Sequence, residues 1–188
     1  MNCALDIFLE RGYEQATTLD IANALGMSKR TVYAYYKDKE TLFKAAVQRS
    51  IQRYTVPIEA LRALASTDLE ATLIGVARLR IANVSTSEGI RLQRILTSQA
   101  YRFPELLRSL FLVGTRPTVQ FLAELFEQLN ASGQATITNT ERAAVSFLTL
   151  VVSGPVRAIT AGDRPTDQEL EEQIQFSVQL FLNGILPR

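Results

Sequence analysis

Histidine is absent from the 188 residues, and cysteine occurs once. Without histidine the chain lacks the usual general base, the usual partner of a serine or cysteine nucleophile and the commonest metal ligand. A single thiol, Cys3, can form neither an intramolecular disulfide nor a cysteine zinc site, and it fits a reducing compartment. Its setting near Leu5, with no cation close by to activate it, reads as packing rather than thiol sensing. No Gly-rich phosphate loop and no nucleophile elbow occurs. Long apolar runs are missing too: the longest, Phe147 to Val152, is interrupted by Thr149 and is far too short to span a bilayer. Met1 to Gly12 shows no basic start followed by an apolar run, as a secretory signal would. These absences argue against an enzyme, a metal site, a cofactor and a membrane partner, and they point to the cytoplasm.

An overall field is also lacking, since 20 basic and 19 acidic side chains leave a net charge of +1. The distribution is uneven. Residues 26–53 hold Lys29, Arg30, Lys37, Lys39, Lys44, Arg49 and Arg53 against Asp38 and Glu40, a local +5, so the rest of the chain sums to −4. With 47% hydrophobic residues the chain can still bury a sizeable core.

Strand alternation, internal repeats and low-complexity tracts are not seen, and the turn signals are spaced for helices. Leu5, Phe8 and Leu9 give a first helix its apolar face, and Gly12 ends it. Thr17 or Thr18 caps a short helix whose inward residues are Ile21, Ala22 and Leu25. Gly26 stands where a left-handed helix stop is expected. Ser28 caps the next helix, to about Tyr36, and Asp38 caps another, from Lys39 to about Tyr54. Pro57 breaks this pattern. Apolar-periodic segments follow at 57–65, 68–84, 88–102, 104–131, 139–161 and 166–184, with Pro117 and Pro155 expected to kink or split theirs. The expected fold is all α, with nine or ten helices: a three-helix N-terminal domain over residues 1–47 and a larger helical domain over 48–188.

At 100° per residue, Val32 and Tyr36 share the inner side of the third helix. Arg30 and Ala34 fall opposite, flanked by Thr31, Tyr33 and Tyr35. Helix, Gly-containing turn and helix make a helix-turn-helix unit, whose second helix enters the major groove of DNA. Helix N-termini beside it offer backbone N–H groups to phosphates.

The stretch "TTLDIANALGMSKRTVYAYYKDKETLF" resembles the helix-turn-helix of the TetR family. It has Thr before the first helix, Ile-Ala inside it, Gly-x-Ser at the turn, Thr-x-Tyr in the recognition helix and Lys-Glu-x-Leu beyond. "ALDIFLERGY" is similar to that family's first helix. The resemblance covers residues 3–47 and implies that Thr18, Tyr33 and Lys39 hold phosphates, while Lys29, Arg30, Thr31, Ala34 and Tyr35 face the groove. Three departures stand out. Tyr36 occupies a usual Phe position, Leu19 sits where some members place a polar base contact, and the sequence starts inside the first helix, so the family's basic arm is either cut off from it or missing from the protein.

The resemblance further implies a homodimeric regulator, most often a repressor, on a palindromic double-stranded DNA operator, with a small, largely apolar ligand. In the 88–102 segment Ile90, Arg94, Thr97 and Tyr101 share one face that could border a pocket or meet water. Phe121 and Phe147 are candidate cavity walls, with the core as the alternative. Phe147, Val151, Ile174, Val178 and Phe181, on the last two long segments, are the candidate dimer interface. A DNA-binding dimer without a small ligand, acting through a protein partner or as an activator, is the alternative function.

Overall fold

A computed structural model describes residues 2–163 and 165–186, the side chains of Asn2 and Cys3 excepted, so the packing expected for Cys3 lies outside the described residues. Every regular element among them is helical: α1 (Asn2–Gln15), α2 (Thr18–Ala24), α3 (Lys29–Tyr35), α4 (Lys39–Arg53), α5 (Ile58–Arg62), α6 (Leu69–Val84), α7 (Ser87–Gln99), α8 (Pro104–Ser109), a π-helical turn (Leu110–Thr115), α9 (Arg116–Ala131), α10 (Thr140–Ala161) and α11 (Asp167–Ile185). Nine of the α-helices have seven residues or more; α5 and α8 are shorter.

The starts follow from side-chain caps. Thr17, not Thr18, caps α2: its hydroxyl accepts from Asp20 N–H at 3.1 Å, and the Asp20 carboxylate accepts from Thr17 N–H at 3.0 Å. Ser28 caps α3 and Asp38 caps α4, the latter accepting from Thr41 N–H at 2.7 Å. That bond is the main reason the Asp38 carboxyl titrates below its ordinary range. Each such cap stabilises its helix by about 1 kcal/mol.

Gly26 closes α2 at φ 63°, with Met27 N–H donating to the Ala22 carbonyl and Gly26 N–H to that of Asn23. A Cβ at Gly26 would touch nothing within 4 Å, so only backbone strain opposes a side chain there. Gly26→Ala is therefore expected to lower unfolding stability by about 1–2 kcal/mol without changing helix content, measurable by urea denaturation. An unchanged midpoint would mean the turn relaxes out of the left-handed region. Gly12 (φ 74°, ψ 161°) breaks α1 where the sequence expects it to end, one further turn following it.

The two internal prolines behave differently. Pro117 sits in the first turn of α9, where a missing N–H leaves no bond unmade, and the 104–131 segment splits into α8, the π turn and α9. Pro155 lies within α10, which continues from Thr140 to Ala161 without division.

The described chain packs as two units. One comprises residues up to Tyr54 together with Arg91–Val113; the other comprises Thr55–Ile90 and residues from Gly114 on. In the first, α1 packs on α2 and α4, α2 on α3, and α4 on α8. Its core joins Phe8, Tyr13, Ile21, Val32, Phe43 and Val47 to Leu92, Ile95, Leu96, Phe103 and Leu106. Phe8, Tyr13 and Phe103 all have ring centroids within about 5 Å of the Phe43 ring. Lys44 of α4 pairs with Glu40 at 2.7 Å and with Glu105 of α8 at 2.8 Å. In the second unit α10 packs on α6, α9 and α11, α6 on α11, and α5 on α9. Leu73, Val76, Val119, Leu122, Phe126, Phe147, Val151, Ile174 and Val178 are buried together there.

Candidate nucleic-acid interface

The turn between α2 and α3 is set by the Gly26 stop and the Ser28 cap, which lie two residues apart. Val32 is buried and Tyr36 is half-buried against the core, so the inner edge of α3 is fixed. Arg30, Ala34 and Tyr35 then lie on the outer face, with Tyr35 75% exposed. Arg30 makes no hydrogen bond or ion pair among the described residues. Thr31 is half-buried, its hydroxyl 2.8 Å from that of Ser28 and its N–H donating to the same oxygen.

Thr17, Thr18, Leu19, Lys29, Tyr33 and Lys39 line one cleft, with Glu14 and Ala16 at its edge. Within it the Tyr33 hydroxyl donates to Thr18 Oγ1 over 3.5 Å, a long bond open to replacement, and the Lys29 ammonium lies 5.7 Å from the Tyr33 ring centre. The cleft thus gathers four of the eight candidate DNA contacts: Thr18, Lys29, Tyr33 and Lys39. Chemically these four offer two cations and two hydroxyls, a set suited to a phosphate oxygen.

Lys39 also has a local duty that sequence reasoning missed. Its Nζ donates to the carbonyls of Tyr13 (2.9 Å) and Glu14 (3.0 Å) and lies 4.7 Å from the Tyr13 ring centre. These carbonyls belong to the last turn of α1, where a cation is favourable. Two of the three ammonium donors are used, leaving one for a partner. No spacing signal marks this contact, because it joins positions some 25 residues apart.

The remaining candidates are dispersed. Arg94 borders a groove between α1 and α7 with Phe8, Glu10, Gly12, Tyr13 and Arg91, whereas Thr97 and Tyr101 are exposed. Phe121 and Phe147 are buried in the other unit's core. The candidate interface residues pack within their own chain. Phe147, Val151, Ile174 and Val178 are all at most 1% exposed within their own chain, and Phe181 packs on the Phe126 and Phe147 rings. Other apolar side chains of the same helices are exposed: Phe176 (67%) and Leu180 (53%), four residues apart on α11, and Val145 and Leu150 on the flanks of α10. Among the described residues α10 is the one helix long and apolar enough to cross a membrane by length and composition, unlike the short run read from the sequence. Only 28% of its apolar window is buried by the chain itself.

Comparison with known proteins meets this geometry at both ends of the chain. Residues 1–46 match the family profile of the TetR family of bacterial regulatory proteins. Residues 71–184, more than half the chain, match the C-terminal domain of AefR-like transcriptional repressors. The chain belongs to the TetR family. Among its relatives, the HTH-type transcriptional repressor ComR of Escherichia coli is 33% identical over 85 residues, spanning 45% of this chain and 40% of that repressor. A TetR-family regulator from Mesorhizobium loti has the same fold, with a TM-score of 0.82 and 27% identity over 99% of this chain and 94% of its own. The flavonoid-responsive regulator FrrA superposes with a TM-score of 0.76 and 28% identity over 100% of this chain and 95% of its own. The TetR assignment indicates a transcriptional regulator, not an enzyme.

Proposed function

We propose that the protein is a ligand-responsive repressor that acts in the cytoplasm and binds a palindromic operator as a homodimer. The observation that carries this reading is the helix-turn-helix with an outward face of Arg30, Ala34 and Tyr35 beside a cleft holding Thr18, Lys29, Tyr33 and Lys39. In this reading residues 1–47 read DNA and residues 48–188 bind ligand and dimerise. Thr18, Tyr33 and Lys39 hold phosphates, while Lys29, Arg30, Thr31, Ala34 and Tyr35 face the groove. One recognition helix reads only a few base pairs, and a two-fold dimer doubles the sequence read. The exposed Phe176 and Leu180, neighbours on the outer side of α11, support dimerisation, because large apolar side chains left exposed together mark an interaction surface. Repression and ligand response are supported by the matched repressor domain and by the FrrA likeness.

The test is selection of bound duplexes from a random pool by the purified protein. Recovery of one inverted-repeat sequence, bound at two protomers per duplex, is the expected result. A selected site without two-fold symmetry would overturn the dimeric reading, and no selectivity over random duplex would overturn sequence-specific regulation. A selected site from which no small molecule releases the protein would favour the ligand-free alternative.

A further inference from the structure

Arg80 of α6 is 8% exposed, and among the described residues no carboxylate lies within ion-pair reach of it. Its Nη1 donates to the Gly114 carbonyl at 2.8 Å, and its Nη2 reaches only the Thr115 hydroxyl, at 3.5 Å. Among the described residues the Nε–H has no partner. One guanidinium edge, formed by Nε and Nη2, therefore holds only that long bond. A second such group stands on α9: Thr118 is fully buried and its hydroxyl has no partner among the described residues. Thr118 follows Gly114 by four residues and Thr115 by three, just past the junction of the π-helical turn and α9. The surroundings are apolar, with Val76, Ala77 and Ile81 on α6 and Val119 and Leu122 on α9 all at most 1% exposed. Burial alone pushes the Arg80 pKa downward, with no neighbouring charge to offset it.

A buried cation without a counter-ion is costly, and a buried hydroxyl left unpaired adds to that cost. The side-on edge of a guanidinium matches the two oxygens of a carboxylate, and a threonine hydroxyl can donate a third bond to them. We propose that the effector of this regulator is an organic carboxylate with an apolar body, its carboxylate held by the Nε–Nη2 edge of Arg80 and the hydroxyl of Thr118. This rests on the ligand-responsive reading above and names the ligand's chemistry. It also supplies a route of response. Arg80 holds the carbonyl of Gly114, at the end of the π-helical turn and at the residue where the chain enters this unit. A carboxylate on the Nε–Nη2 edge takes Nη2 from the Thr115 hydroxyl, at the junction of that turn and α9. The bound anion thereby favours a different setting of the turn, and only such differential affinity can shift a regulator between states.

The experiment uses four acids (decanoate, hexadecanoate, benzoate and phenylacetate) and their neutral primary amides, read by thermal shift and calorimetry on the full chain. At least one acid is expected to bind the wild type, with its amide bound about 10- to 100-fold more weakly. Arg80→Gln keeps a neutral donor for the Gly114 carbonyl and is expected to lose that preference for the acid. Thr118→Val, nearly isosteric, provides a second variant should Arg80→Gln fail to fold, and it is expected to weaken the acid about 10-fold while leaving the amide unchanged. Binding of no acid, or equal binding of acid and amide in the wild type and both variants, overturns the carboxylate assignment. In the second case release from operator by the amides would leave the ligand-responsive reading intact. An acid that binds through Arg80 yet leaves operator affinity unchanged overturns the effector role and the regulatory reading together, and the carboxylate site alone would survive.

Discussion

Leu180→Arg is expected to turn the protein into a folded monomer that no longer holds its operator. Leu180 is 53% exposed and lies on the side of α11 opposite Ile174, Val178 and Leu182, which are buried. Arginine there meets water in the monomer, so the fold should survive with unchanged helix content. In a two-fold dimer built on the outer sides of α10 and α11, the same guanidinium would be buried without a partner. That costs roughly 3–5 kcal/mol, and a symmetric interface incurs it twice. The dimer dissociation constant is then expected to rise by about four orders of magnitude or more. Sedimentation velocity with a circular dichroism control reads both halves of this expectation. A dimer mass that persists in the variant would move the interface away from Leu180 and Phe176. Phe181→Arg supplies the contrast. Its ring packs at 5.6 Å from Phe126 and 5.1 Å from Phe147, so a charge there should lower the melting temperature by about 10 °C instead of yielding a well-folded monomer.

Arg30→Ala and Lys39→Ala are expected to weaken DNA binding in different ways. Arg30 is exposed at the centre of the outer face of α3, one turn before Ala34, whose small side chain allows close approach to the groove floor. A guanidinium there can pair with guanine O6 and N7. Its loss should cost about 1–3 kcal/mol per half-site and relax selectivity at that base pair. Lys39 has two roles to lose. Without its ammonium the Tyr13 and Glu14 carbonyls lose their donor, which should lower stability by about 1 kcal/mol. The phosphate contact proposed for its remaining donor should disappear for operator and random DNA alike. With two protomers bound, the slope of log affinity against log salt should become shallower by nearly two units. Titrations against operator and scrambled duplex at several salt concentrations separate the variants. A Lys39→Ala protein that changes base preference, beside an Arg30→Ala protein weakened uniformly on all DNA, would reverse the proposed orientation of α3. A Lys39→Ala protein with reduced stability and an unchanged salt slope would leave Lys39 as a helix cap alone.

Much of the fold was legible because its determinants are local. Thr17, Ser28, Asp38 and Thr166 act on N–H groups three residues ahead. Gly26 and Pro117 act through their own backbone torsions, and the inner edge of α3 follows from the four-residue spacing of Val32 and Tyr36. The missing histidines and the basic cluster after residue 26 needed no structure at all. Tertiary structure decided whatever depends on which surface is covered. Ile174, Val178 and Phe181 stand out by their spacing, but only packing shows that they face their own core while Phe176 and Leu180 stay outside. The capture of Lys39 by α1 and the joining of residues 91–113 to the unit of α1–α4 arise between positions far apart in sequence. Arg80 shows the limit most plainly. A charge between Leu79 and Ile81 in an apolar helix is readable as an oddity, but its lack of a counter-ion among the described residues is a property of the packed neighbours, since desolvation and pairing are set by what surrounds a group in space.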